Sequence, residues 1–244
     1  MLYETHELTR RFHRAGVYVT ALDRVSLRVS QGELVAIVGP SGCGKTTLLQ
    51  ALGAIDPEYE GTLKFAGQEL RQLSARERAV LRLSQIGFVF QTFQLLDALT
   101  VQENIALPLW RLRGDRRGAE AKARNLAEEL GIAHRLTQRP RELSVGEMQR
   151  AAVARAMVCD PAVILADEPT ASVDSENGRC ITAVLQSIVE GGRTVLVASH
   201  DAAVVAIAHR VLRLQFGRVV ESPSPPATEA HVGLVGRVED RRNS

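Results

Sequence analysis

The stretch Leu34–Leu52, LVAIVGPSGCGKTTLLQAL, restricts the fold of this chain more than any other. It begins with five apolar residues, Leu34 to Val38, too short a run for a helix and typical of a parallel strand covered on both faces. Gly39, Gly42 and Gly44 follow, and backbone without a Cβ can wrap so that its N–H groups point inward. Lys45, Thr46 and Thr47 then open a helix, whose N-terminus carries about half a positive charge. Backbone donors, a helix dipole and a lysine meet at one point, which suits a polyphosphate.

The spacing Gly39-x4-Gly44-Lys45-Thr46 is the P-loop pattern. It assigns Lys45 to the β- and γ-phosphates of a nucleotide and the Thr46 hydroxyl to Mg²⁺. Gly39, Pro40, Ser41, Gly42, Cys43, Gly44 and Thr47 complete the cradle. A glycine turn between strand and helix can match the same pattern, so the rest of the chain must decide what the loop serves.

With 244 residues the chain has room for one large or two small domains and a substantial core. A net charge of +2 and only 4% aromatic residues argue against a nucleic-acid surface. Cys43, Cys159 and Cys180 are too scattered for a zinc or disulfide framework and read as reduced thiols. No apolar run approaches the roughly 18–20 residues of a membrane span. The start, MLYETHELTRR, lacks the apolar centre of a signal peptide. The expected location is cytoplasmic, with any membrane role supplied by a partner chain.

In chain order, residues 1–32 alternate between short apolar segments (Val17–Leu22, Val25–Val29) and turns, which predicts antiparallel strands. Gly61–Phe65 adds a strand. Ser74 and Glu77 have capping-box spacing, predicting a helix to about Leu83, and Ile86–Phe90 is a buried strand ending at Gln91. A helical insert follows. Within it, Ala119–Leu130 is amphipathic and ends at Gly131, and Arg111, Arg113, Arg116 and Arg117 read as a solvated loop. Ser144 and Glu147 repeat the capping-box spacing and open a helix to about Val158, broken by Asp160-Pro161. Ala162–Ala166 is a strand ending in Asp167-Glu168. A helix runs from Ser175 to Gly191, Thr194–Ala198 is a strand ending near His200, and Val211–Val220 is a hairpin turning at Phe216-Gly217. Residues 221–244, rich in Pro and Ser at their start, read as a flexible tail.

Three apolar strands thus end in chemistry: the phosphate loop, the Asp167-Glu168 pair, and His200. In doubly wound α/β sheets ligands bind at the carboxyl ends of strands, so parallel neighbours would bring all three to one nucleotide. Mg²⁺ takes oxygen ligands, which makes Asp167 a partner for Thr46 there. Glu168 can polarise a water for attack on the γ-phosphate, Gln91 can bridge Mg²⁺ and that water, and His200 can contact the γ-phosphate and orient Glu168 and the water. Taken alone, Glu168 could equally be a salt-bridge partner and His200 a structural histidine at a strand end.

The succession of P-loop, FVFQ, LSVGE, ILADEP, ASVD and VASHD resembles the ATP-binding cassette (ABC) ATPases over residues 1 to about 220. That resemblance implies a P-loop NTPase (RecA-like) α/β core with an antiparallel β subdomain and an inserted α-helical subdomain at about 92–158. It also implies that Ser144, Gly146 and Glu147 meet the γ-phosphate held by a second copy, with Asp174 at the dimer interface. Phe12 falls where an aromatic lies against adenine, with Tyr18 as the other candidate. FVFQTFQLLDALTVQENIALPL is similar to the subgroup serving lipoprotein-releasing, macrolide-export and cell-division permeases. The implied partners are a second ATP-binding subunit and an integral membrane permease, which would hold the chain on the inner face of the membrane; no nucleic acid is expected.

Three residues depart from the family pattern: Val145 for glycine, Glu147 for glutamine, and Asp97 for proline. A carboxylate at 147 is unfavourable beside an incoming phosphate, although Glu and Gln both close a capping box. None of the departures removes a catalytic group. The alternatives are a soluble ABC ATPase acting on DNA or the ribosome and a regulatory cassette with little turnover. Against the first stand the lone P-loop and only about fifty residues between Gln91 and Ser144, too few for a long coiled coil.

Overall fold

A computed structural model describes residues 1–14 and 16–220; the expected tail, 221–244, lies outside the described residues. The chain opens with two long strands, β1 (Tyr3–Arg14) and β2 (Val17–Val29), before the P-loop strand β3 (Leu34–Val38) and helix α1 (Lys45–Leu52). β4 (Glu60–Phe65), β5 (Gln68–Glu69), α2 (Ala75–Gln85) and β6 (Ile86–Val89) follow. The helical segment contains α3 (Val101–Arg113), α4 (Arg116–Glu129) and α5 (Val145–Met157). The chain then alternates β7 (Val163–Asp167), α6 (Ser175–Glu190), β8 (Thr194–Ala198), α7 (Ala202–Ala206), β9 (Arg210–Gln215) and β10 (Arg218–Val220).

Two sheets result. The larger has the order β10-β9-β3-β8-β7-β6, parallel except for the β9–β10 hairpin. The smaller is antiparallel, in the order β2-β1-β4-β5. In β3, Leu34 and Ala36 face the helical core containing α3 to α6, while Val35 and Ile37 face the core shared with α1 and the antiparallel sheet. A strand buried on both faces explains the unbroken apolar run from Leu34 to Ile37. The α/β core with its antiparallel and helical parts agrees with the expected fold class.

The differences from the sequence reading are local. The segments Val17–Leu22 and Val25–Val29 lie on one strand, β2, and shifts in its register with β1, with Arg24 at φ 51°, absorb the irregularity between them. The arginine run is not a loop. Arg111 and Arg113 belong to the last turn of α3, Gly114 and Asp115 make the turn, and Arg116 opens α4 with ion pairs to Glu103 and Glu120. Short α7, capped by Asp201, was not anticipated.

Candidate functional site

The large sheet brings the strand ends together as the alternation of elements anticipates. β3 lies beside β8, β8 beside β7, and β7 beside β6, so the P-loop, His200, Asp167-Glu168 and Gln91 leave the sheet at one edge. A cavity of about 520 Å³ there is lined by Gly39 to Gly42, Gly44 to Thr47, Gln91, Asp167, Glu168 and His200. Cys43 is the P-loop residue whose side chain turns inward: it is buried, and its carbonyl accepts from Gly217 N–H.

The start of α1 is left open. Among the described helices, α2 to α7 each have a side chain accepting from a first-turn N–H, and α1 has none. Its cap residue is Gly44 at φ 108°, where a Cβ would run into the Ala21 carbonyl and the Leu22 side chain. The first amides of α1 are therefore unclaimed by side chains and face an electropositive, anion-binding end.

Lys45 Nζ donates to the Gly39 carbonyl at 2.9 Å and lies 3.6 Å from Glu168 Oε1. The other oxygen, Glu168 Oε2, is 2.8 Å from His200 Nδ1. Glu168 sits at φ 47° with its N–H on the Ala198 carbonyl, a left-handed conformation costing about 1–2 kcal/mol in a non-glycine residue. The strain turns the carboxylate out of the β7 direction and into the cavity. Burial pushes the Asp167 carboxyl up from the ordinary carboxylate range, and the charge of Glu168 adds to this, while the Thr46 hydroxyl and Lys45 oppose it. A cation seated there would relieve that desolvated carboxylate. The donors fit Mg²⁺: the Thr46 hydroxyl, the Asp167 carboxylate and the Gln91 amide are oxygen ligands, few enough to leave positions for phosphate and water.

The remaining expected site residues lie elsewhere. Ser144 caps α5 in a closed box: its hydroxyl accepts from Glu147 N–H at 3.3 Å, and Glu147 Oε2 accepts from Ser144 N–H at 2.8 Å and from the Ser144 hydroxyl at 2.9 Å. Ser144 and Val145 face solvent, whereas Gly146 and Glu147 are buried. A Cβ on Gly146 would run into the Asn177 carboxamide. Asn177 is held by Asp174, which accepts from its backbone N–H and side-chain amide, each at 2.8 Å, and it also pairs with Arg150. The starts of α5 and α6 thus form one surface carrying Ser144 and Asp174, and neither residue lines the P-loop cavity. Phe12 is on β1, half-buried, with the Arg10 guanidinium 4.2 Å over its ring. Tyr18, across the β1–β2 pair, is 71% exposed and packs against His13.

Three residues that sequence reading missed organise the surroundings. Asn104, fully buried, accepts from Leu96 N–H and donates to the Leu96, Leu99 and Thr100 carbonyls, fixing the segment after Gln91. Arg155 of α5 donates to the carbonyls of Phe93 (2.6 Å) and Gln94, two residues held at positive φ. It ties the helix that starts at Ser144 to the loop that starts at Gln91. Arg135 pairs with Glu147 at 2.7 Å. A second groove of about 500 Å³, between α2, α3 and the α5 end, is lined by Ile55, Leu83, Phe88, Phe90, Pro108 and Arg155 among others.

The sequence profile of the family described as "ABC transporter" matches residues 22–171. The chain is 42% identical over 236 residues to the macrolide export ATP-binding/permease protein MacB of Rhodospirillum rubrum, covering 97% of this chain and 36% of that protein. It thus spans little more than a third of that relative's length. It is 34% identical over 220 residues to the uncharacterized ABC transporter ATP-binding protein MJ1508 of Methanocaldococcus jannaschii, covering 90% of this chain and 98% of that one. Among solved structures it is similar to the dimeric bacterial ABC transporter cassette MJ0796, at 33% identity and TM-score 0.87 over 91% of this chain and 98% of the other. It is also similar to the post-hydrolysis dimer of MJ0796 bound to ADP and Pi, at 34% identity and TM-score 0.84 over the same shares of the two chains.

Proposed function

This chain belongs to the ABC transporter family and is an ATP-binding, ATP-hydrolysing part of such a system; from that premise we propose that two copies close around two ATP molecules and drive a separate membrane permease. The ATPase domain is residues 1–220, with its helical part at about 92–158. The observation that carries the reading is the division of the site. One surface has an uncapped helix start, Lys45, Asp167, Glu168 and His200 around a cavity, and another, lining no part of it, carries Ser144, Gly146 and Asp174. Each surface supplies half of an ATP site, and a second copy supplies the other half.

In the first half, Lys45 leaves the Gly39 carbonyl for the β- and γ-phosphates, and the free amides of α1 hold the phosphate oxygens. Mg²⁺, held by Thr46, Asp167 and Gln91, would draw negative charge off the phosphates when bound. Glu168 accepts a proton from the attacking water as its oxygen bonds to the γ-phosphorus and the bond to the β–γ bridging oxygen breaks, releasing ADP and phosphate. His200, 2.8 Å from Glu168, orients that carboxylate and the water. Phe12 supports the adenine. Ser144, Gly146 and Glu147 of the second copy close over the γ-phosphate.

No helix among the described residues is long and apolar enough to cross a membrane, so the permease contact falls to a surface. The second groove suits it. It offers apolar walls beside Phe88 and Phe90, and at its edge Arg155, which holds the loop leaving Gln91, so an inserted permease helix would reach the site through one side chain. Such a contact would place the chain on the inner face of the membrane.

Glu168→Gln tests the catalytic assignment. Turnover should fall by about 10²–10⁴, and ATP should drive the variant into stable dimers detectable by light scattering. A Glu168→Gln protein that hydrolyses ATP at the parental rate would remove the residue from this role.

A further inference from the structure

Glu147 is an unexpected group beside a phosphate site. It is a carboxylate, only 7% exposed, one helical turn from the Ser144 hydroxyl that is to meet a γ-phosphate. Unpaired, it would repel the nucleotide it helps to bind. The structure supplies a partner: Arg135, in the 3₁₀ turn Ala133–Arg135 before the helix, brings Nε to 2.7 Å from Glu147 Oε1. The guanidinium is itself held, since Nη1 donates to Gln138 Oε1 at 3.2 Å. His134 Nε2 stands 3.4 Å from the same carboxylate oxygen but is 60% exposed on its side chain, a weaker and screened neighbour.

The two carboxylate oxygens divide their work. Oε1 takes Arg135, and Oε2 takes the N–H and hydroxyl of Ser144. Arg135 therefore fixes the carboxylate and stays on it when the Ser144 hydroxyl turns away. We propose that Arg135 is a positioning residue for the half-site that the second copy contributes: it neutralises and holds Glu147, leaves the Ser144 hydroxyl able to turn to a phosphate without baring a charge beside it, and so sets the ATP concentration at which two chains close. The inference rests on the reading that Ser144 meets the partner's γ-phosphate. Burial alone would push the Glu147 carboxyl up, but the Ser144 N–H, Arg135 and the Ser144 hydroxyl together hold it down to about 2, so the charge is present and needs a counter-charge at neutral pH.

The test uses the full chain in a Glu168→Gln background, where ATP-driven dimers accumulate. Arg135→Gln should raise the ATP concentration for half-dimerisation by about tenfold or more, the scale of a lost hydrogen bond to a charged group. Adding Glu147→Gln should bring it back near the parental value, because glutamine closes the capping box without a charge to neutralise. Arg135→Lys, which keeps the charge, should lose less than Arg135→Gln. If Arg135→Gln dimerises at the parental ATP concentration, or if Glu147→Gln gives no rescue, Arg135 is a structural arginine and the inference fails. Should Arg135→Gln alone prove unstable, the comparison of Arg135→Gln/Glu147→Gln with Glu147→Gln decides: equal closure supports the inference, unequal closure overturns it. Ser144→Ala separates the two levels. A Ser144→Ala chain that closes like its parent sinks the half-site reading, whereas a Ser144→Ala defect without an Arg135→Gln defect sinks only the role of Arg135.

Discussion

Helix α1 starts at Gly44 with no side chain capping its amides, whereas α5 starts at Ser144 inside a box closed by Glu147 and backed by Arg135. Both starts are read as phosphate sites, yet only one stands ready. The first-turn amides of α1 and Lys45 face a cavity, so binding there costs no internal side-chain cap. At α5 the Ser144 hydroxyl already donates to Glu147 and accepts from its amide, and it must change partners to donate to a phosphate. On the proposed reading, an open site beside a self-satisfied one gives an order of events: ATP would settle on α1 first, and the α5 surface of another chain would join once the phosphate outcompetes the box.

The sharpest way to break this comparison is to disable each start separately. Lys45→Ala removes a charged donor from the open site and should weaken ATP binding by the isolated chain about 10- to 100-fold. Ser144→Ala should change binding by the isolated chain far less while preventing ATP-driven closure. Titration of each variant with a fluorescent ATP analogue, below and above the concentration where dimers form, separates the two losses. Equal losses of monomer affinity in both variants would mean that Ser144 belongs to the first half of the site and that the division is wrong.

A smaller effect is expected where the α5 and α6 starts touch. Gly146→Ala drives a Cβ into the Asn177 carboxamide, which cannot swing away without leaving Asp174 and Arg150. Overpacking should outweigh the better helix propensity of alanine and cost about 1–2 kcal/mol of stability, read as a lower melting temperature. Asn177→Ala in the same chain should recover most of it. A Gly146→Ala chain as stable as its parent would show that the α5–α6 contact yields readily, and the closing surface would then be softer than the open one.

The elements of this comparison were unequally legible in the sequence. The open start was legible because everything in it is local: five apolar residues, three glycines and a lysine lie within a dozen positions, and the fold adds only the neighbouring strands. The box at Ser144 was legible for the same reason, as was that at Ser74, and both form with both bonds. Thr100 and Glu103 have the same spacing and make a third box, so the true start of α3 was available to the same rule. What could not be read were partners distant in sequence. Asn177 reaches Gly146 and Arg150 from another helix, Arg155 reaches back to Phe93 and Gln94, and Arg135 reaches Glu147 across two turns. Side-chain periodicity reports which face of a helix is buried, not which charge on another element will meet it. The charge of Glu147, unfavourable beside a phosphate, meets its counter-charge in Arg135 from such another element.

The last consequence concerns acid. Glu147 titrates at about 2 in the folded chain, below its ordinary 4.5, because the Ser144 donors and Arg135 outweigh its burial. A lowered folded value means that the unfolded chain binds the proton first as pH falls. The stabilisation is therefore fully present above about 4.5, declines as pH drops below it, and is gone once pH passes about 2. The open start of α1 contributes no such term through its cap, since no side chain closes it. Glu147→Gln should accordingly flatten part of the acid limb of stability between these two pH values, measured as melting temperature against pH relative to the parent. It should leave the curve near pH 7 without added slope. A Glu147→Gln chain whose acid limb overlays the parental one would show that the box and its arginine hold the carboxylate less firmly than their geometry implies.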